Sequence, residues 1–363
     1  MTVRRRDGYI HEFDGVRALS ILAVLAAHLL PLGPGQLGLN HAAGLLGMSL
    51  FFGLSGFLIT SFLYDNPDRI AAFFIRRSAR ILPLLWLYTL IVAVFIHGRW
   101  DSFLAVLTFT LNYRDSQLVP GLSHLWSICV EFHFYIFIGL TVWLFGRRGL
   151  WVIPVAFLTI LVLRIDAGAT STIRTLYRVD EILAGGLLAL LWHNRDLPAL
   201  ARLRVVIGKG FWLWGGLLLL SCHPVSGGLM YFRPLMGFLM LGAVLEHGEG
   251  PVRKCLRLPV LAYIASISYA LYIWHPLFRL GWLGERGTTV MFYLVKRPIA
   301  ILCSFALAHL TTRTIEKYFM DRGKQLERRL ADRSSAPGTP AQQPGDAPRL
   351  RRARPALRAG LRG

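Results

Sequence analysis

The chain is a series of apolar runs, several of about 18 residues or more, separated by clusters of arginine. Runs of that length match the hydrocarbon thickness of a bilayer. Hydrophobic residues make up 54% of the 363, too many for an ordinary soluble protein. The net charge is +20, and a basic total alone is compatible with nucleic-acid binding. Here the charges sit between apolar runs, where the positive-inside rule reads them as cytoplasmic loops. Nucleic acid is therefore set aside as a partner and membrane lipid is implied.

The expected fold is all-α: a polytopic membrane protein of about ten transmembrane helices with both termini in the cytoplasm. The spans fall near 15–32, 43–63, 81–96, 124–145, 150–163, 176–192, 211–222, 229–245, 260–280 and 290–315. The stretch 101–112 is apolar but short, which suits a re-entrant or interfacial segment. With ten crossings, nearly every strong basic cluster lies on one side. Lys296 and Arg297, toward the outer end of the last span, are the exception. Residues 1–322 form the membrane domain. Residues 323–363 are rich in Pro, Ala, Gly, Ser and Arg, and read as a disordered basic cytoplasmic tail, either solvated or touching anionic lipid headgroups. The four cysteines have neither metal-ligand nor disulfide-framework spacing. The first apolar run is long and has no convincing cleavage site, so it reads as a span and not as a leader.

Two polar residues interrupt that first run, Arg17 and His28. Eleven residues at about 100° each bring them back to one face, roughly 16 Å apart along the axis. Ionisable groups inside a membrane helix are costly and usually face the bundle interior, so the pair points to a polar path through the bundle. A snorkelling arginine and a merely hydrogen-bonded histidine are the plain alternative. Glu131 in HLWSICVEFHFY and His275 in SYALYIWHPLF lie at the same outer depth as His28, as a site open to one face requires. His133, Tyr135, Arg178, Asp180 and Glu181 are on the same side. Each has a plain role to weigh against this: Glu131 pairing with an arginine, or His275 satisfying a carbonyl freed by Pro276. On the opposite side, Arg76, Arg77 and Arg80 open the third span, with Arg77 and Arg80 on one helical face. Guanidinium pairs suit phosphate, although the cluster serves equally as a topology signal.

These pieces, FDGVRALSILAVLAAH, FFGLSGFLI, RRSARILP, HLWSICVEFHFY, the Arg178-x-Asp180 region with Gly185, and SYALYIWHPLF, occur in family order over nearly the whole membrane part. The sequence resembles the membrane acyltransferase family 3, which includes bacterial O-antigen and exopolysaccharide O-acetylases and macrolide acyltransferases. The resemblance implies transfer of an acyl group, usually acetyl, from cytoplasmic acyl-CoA to a hydroxyl of a cell-surface carbohydrate or lipid-linked glycan. It places the protein in the bacterial cytoplasmic (inner) membrane. Acyl-CoA is a co-substrate, and no bound cofactor or metal is expected. By that resemblance Arg17 and His28 are the essential pair, Arg77 and Arg80 contact the CoA phosphates, and Glu131 and Tyr135 belong to the family's site. With the depth and cluster readings added, the catalytic candidates are His28, Glu131, Arg17 and His275, and the CoA candidates are Arg76, Arg77 and Arg80. Tyr135, Arg178 and Asp180 are then assigned to substrate binding. One departure is visible: the family often has a second Glu or Gln after the first, where this chain has Phe132 and His133.

The chemistry expected of His28 is general-base attack by an acceptor hydroxyl or its own attack on the thioester, with Glu131 orienting it or sharing the proton. The rival class is a proton-coupled secondary transporter, which also buries Arg, His and Glu, but no inverted repeat or matched pair of interrupted helices is apparent.

Overall fold

The computed structural model describes residues 10–246, 248–285 and 287–335. Among them all regular structure is helical. The long elements are α1 (Glu12–Leu29), α2 (Leu39–Asp65) and α3 (Ile70–Thr89), the last prolonged by a π-helical turn to Ile96. A short α4 (Trp100–Leu107) precedes α5 (Trp126–Phe145) and α6 (Val152–Asp166). One turn, α7 (Thr175–Arg178), leads into α8 (Asp180–His193), followed by α9 (Pro198–Lys209), α10 (Phe211–Ser221) and α11 (Arg233–Glu246). The chain closes with α12 (Pro251–Leu256), α13 (Pro259–Ser266), α14 (Ser268–Trp274), α15 (Arg297–Thr311) and α16 (Lys317–Ser335).

The frame is built on α2. Asn40 ties its start to the end of α1, donating to the carbonyls of Leu30 at 2.7 Å and Ala27 at 2.9 Å, groups that a helix terminus leaves unpaired. Lower down, the Ser20 hydroxyl donates to the Gly47 carbonyl at 2.6 Å. On its other flank α2 meets α8 through Gly53, Gly56 and Gly185. A Cβ on Gly56 would run into the Ile182 carbonyl, and one on Gly185 into that of Gly53. Small residues are what allow backbones to approach this closely in a membrane bundle. The FFGLSGFLI stretch is thus a packing seam.

By length and apolarity, five stretches among the described residues qualify to cross a bilayer: Leu39–Asp65, Ile70–Ile96, Ser123–Asp166, Pro224–Glu246 and Met291–Leu330. Two bent pairs, α9 with α10 (72°) and α13 with the helix after it (54°), raise the number to seven if each is one span. Ser123–Asp166 itself holds two helices: Gly146 has φ +58, and Gly149 presses on the Thr141 carbonyl, folding the chain back. With Glu12, Asp14 and Arg17 in its first half, α1 is too charged to be among the five. Ten crossings is therefore a reading of charge and hydropathy, and not of helix length.

Three expectations are corrected. First, α3 begins at Ile70 and not near 81, so Arg76, Arg77 and Arg80 lie in its second and third turns. The segment before them is helical because Ala72 and Phe73 are buried. Second, the span expected over 260–280 is two helices. The Ser266 and Ser268 hydroxyls donate to the Tyr263 and Ala265 carbonyls at 2.6 and 2.8 Å, and such back-bonding bends helices. Third, the tail expected from 323 is helical through Ser335. Gly323 rests on Ala79 of α3, and Glu327 accepts from Arg69 and, at 2.6 and 2.8 Å, from Arg76. The rest of the expected tail, 336–363, and the basic residues Arg4 to Arg6 lie outside the described residues. Lys296, out of place by charge, donates to the carbonyls of Trp282 at 2.6 Å and Glu285 at 3.1 Å and so fastens the preceding loop.

Candidate active site

His28 sits in the last turn of α1 and is half-buried. His275 caps α14, just before Pro276, and is fully buried. Sequence places them 247 residues apart, yet His28 Nδ1 lies 2.9 Å from His275 Nε2, with ring planes 10° apart. The tautomers follow from the network. His275 Nδ1 lies 2.9 Å from the Tyr272 carbonyl oxygen and 3.2 Å from that of Leu271. A carbonyl only accepts, so Nδ1 carries the proton. Neutral His275 then accepts on Nε2, and His28 Nδ1 donates to it. That leaves the lone pair of a neutral His28 on Nε2, held in a fixed direction and ready for a proton or an acyl carbon.

Around this dyad the bundle end is aromatic and polar. His124, buried just before α5, presents its ring edge-on to those of His275 (5.5 Å), Tyr272 (5.2 Å) and Tyr88 (5.6 Å). Among the described residues neither of its ring nitrogens has a hydrogen-bond partner. The Tyr272 hydroxyl donates to the His124 carbonyl at 2.5 Å and lies 2.6 Å from Ser127 Oγ. His124 is a site residue that sequence reasoning missed; the available signal was its position in HLWSICVEFHFY, three residues before Ser127 and just ahead of the helix that carries Glu131.

Between Arg17 and His28, the same face of α1 carries Ser20, Ile21 and Val24. These line a cavity of about 10 Å³ with Met48, Phe51, Ser268 and Tyr272. That is about one water probe in volume, so the polar path expected through the bundle is narrow and largely apolar here. Arg17 is half-buried at the far end of this face.

Glu131 belongs to a second group. It accepts from Ser55 of α2, and the buried Tyr135 hydroxyl lies beside both. The Arg77 guanidinium stands 5.6 Å from the Tyr135 ring centroid, so this group links the bundle interior to α3. The expectation that Glu131 orients His28 is therefore replaced: His275 holds that position. Of the three arginines assigned to CoA, Arg76 is engaged by Glu327 and Arg77 faces Tyr135.

Arg178 and Asp180 fall in a third group with Glu181, Arg164, Arg233 and Ser49. Asp180 is paired with Arg164. Glu181 Oε1 accepts from Ser49 at 2.7 Å, Arg233 at 2.8 Å and Arg178 at 3.0 Å. The Arg178 guanidinium also lies 5.5 Å from the Trp126 ring and 5.9 Å from Phe52. Arg164 and Arg233 were missed in the sequence because their partners are 16 and 52 residues away. At the position of the departure from the family pattern, Phe132 stacks on Phe109 at 3.8 Å. His133 Nδ1 lies 2.7 Å from Thr175 Oγ1, which fastens α5 to α7.

Comparison with known proteins bears on this arrangement. The chain is 28% identical over 328 residues to the peptidoglycan O-acetyltransferase OatA of Listeria monocytogenes, covering 76% of this chain and 50% of that protein. It is 26% identical over 374 residues to YrhL of Bacillus subtilis, whose name assigns it provisionally to peptidoglycan O-acetylation, covering 89% and 57%. A Staphylococcus aureus protein named provisionally as an O-acetyltransferase is 26% identical over 318 residues, covering 76% and 51%. The chain thus spans about half the length of these relatives. No solved structure matches it. A family model described as an acyltransferase domain matches residues 10–310, and the chain belongs to that family, acyltransferase family 3.

Proposed function

We propose that this chain is a multi-pass O-acyltransferase of a bacterial cytoplasmic membrane, crossing it ten times. It moves an acyl group, acetyl by family habit, from cytoplasmic acyl-CoA to a hydroxyl of a cell-surface carbohydrate. The observation that carries the reading is the His28–His275 dyad, which fixes a histidine lone pair at the end of a family-matched helix. The relatives' names, which refer to O-acetyl transfer and in two cases to peptidoglycan, support a glycan acceptor.

The acceptor hydroxyl gives its proton to His28 Nε2 as its oxygen attacks the thioester carbonyl. The imidazolium that forms is held by its Nδ1–H bond to His275 Nε2. The carbon–sulfur bond breaks, and the CoA thiolate leaves and takes the proton back from the His28 imidazolium, which returns to the neutral form. In the two-step version, Nε2 itself attacks first and the hydroxyl then displaces it. Arg17, at the other end of the α1 face, supplies positive charge on the donor side, with Arg77 and Arg80 as phosphate contacts.

The test is thiol release from acetyl-CoA by the purified full chain, wild type against His28→Ala and His275→Ala at matched folded amounts. Release by wild type that is lost in His28→Ala supports the reading. No release by wild type, with or without an envelope glycan extract, sinks it and favours transport. Labelled acetyl-CoA without acceptor separates the two routes, since only an acyl-histidine leaves label on the protein.

A further inference from the structure

The group around Glu181 holds more positive charge than it balances. Three guanidiniums, Arg164, Arg178 and Arg233, face two carboxylates, Asp180 and Glu181, and all five side chains are at most 2% exposed. One positive charge is in excess, and a buried charge without a partner is expensive. The hydrogen bonds are also lopsided. All three donors to Glu181 converge on Oε1, so the outer edges of two forks are left over. Arg178 Nε and Nη2 and Arg233 Nη1 and Nη2 are buried without a hydrogen-bond partner among the described residues. Glu181 Oε2 is left over as well, an acceptor beside four donors.

Guanidinium edges of this kind match an oxyanion, which accepts two parallel hydrogen bonds from one fork. The position fits a substrate group. Trp126 lies under Arg178 at 5.5 Å and is two residues from His124, whose ring touches His275. On α2, Phe52 packs on Trp126 (5.8 Å) while its neighbour Phe51 faces Tyr272 of the dyad's surroundings (6.4 Å). His41, in the first turn of α2, is open to solvent and feels the charge of Arg233 and Arg178, so the group lies toward that end of α2.

We infer that Arg178 and Arg233 form an anion subsite next to the transfer centre, and that the acceptor is an acidic saccharide. Its carboxylate or phosphate is held by the two forks, while Glu181 Oε2 takes a hydroxyl or amide N–H of the same ligand. The inference rests on the acyltransferase reading for the word acceptor, but binding is measurable without turnover.

The experiment follows thermal unfolding of the purified full chain in detergent with glucose, glucuronic acid or glucose 6-phosphate at matched ionic strength. One of the acidic sugars is expected to raise Tm and glucose to leave it unchanged, and whichever acid acts identifies carboxylate or phosphate as the group. Arg178→Lys and Arg233→Lys keep the charge but lose the fork, and each is expected to raise the half-saturating concentration at least tenfold. Equal effects of all three sugars, or protection by acid that is unchanged in both variants, overturns the inference. Should neither variant fold, hydrogen exchange on wild type decides: slowing confined to 176–183 and 231–236 supports the subsite, and slowing elsewhere overturns it. Thiol release from acetyl-CoA in the presence of an envelope glycan extract is read separately, so failure of sugar binding and failure of acyl transfer are distinguishable.

Discussion

The dyad and the arginine group lie on either side of Phe51 and Phe52, and they are built in opposite ways. In the dyad each nitrogen has a defined job: His275 Nδ1–H to a carbonyl, His275 Nε2 to His28, and a single lone pair left on His28 Nε2. The arginine group is oversupplied, with four buried donor nitrogens left without partners among the described residues. A proton moves over a short distance and needs one well-aimed atom. A whole anionic group needs several donors at once. One end of the bundle therefore offers two kinds of polarity, one suited to chemistry and the other to recognition.

The comparison breaks most sharply at His28. His28→Ala is expected to lower turnover by about 10²–10⁴-fold, the usual worth of a positioned base, with protein abundance unchanged. Loss of abundance instead of turnover would make the dyad a packing device. His275→Ala removes only the acceptor that aims His28. A fall of about 10–100-fold in kcat, or ~1.4–2.7 kcal/mol of barrier, with KM unchanged is the expected result. An equal rise in KM would mean that His275 touches substrate.

How much of this was legible depends on sequence distance. The spacing of Arg17 and His28 lies within one helix, so one face could be read from periodicity alone. The role of His275 could not, because its partner lies on α1 and the approach depends on a serine-bent break between α13 and α14. Glu181 was visible, but Arg233, which donates to it, begins a helix 52 residues later. α16 was read as tail because a glycine and a glutamate, Gly323 and Glu327, make its contact with α3, where an apolar stripe would have shown. The small residues of FFGLSGFLI were visible in the sequence, but the helix they pack against, α8, was not.

The smaller expected effects test the frame beneath both centres. Gly185→Ala puts a Cβ against the Gly53 carbonyl. It is expected to cost about 1–3 kcal/mol, read as a lower Tm in detergent, with the separation of Ser49 from Glu181 as its local consequence. Arg76→Ala removes two hydrogen bonds to Glu327, but Arg76 is 48% exposed. The expected loss is therefore below ~1 kcal/mol. Faster proteolysis of α16 with an unchanged Tm for the bundle is the result that would show it.

Gly47 locks α2 to the helix bearing His28, and Gly53 and Gly56 lock it to the helix bearing Glu181. Backbones held at such close range cannot slide past one another, so α2 works as a ruler of fixed length between the base and the charge. On the proposed roles of His28 and of Arg178 with Arg233, an acceptor would be sorted by the distance between its reacting hydroxyl and its acidic group, and a sugar with both groups at the wrong spacing would be refused even though each would fit alone.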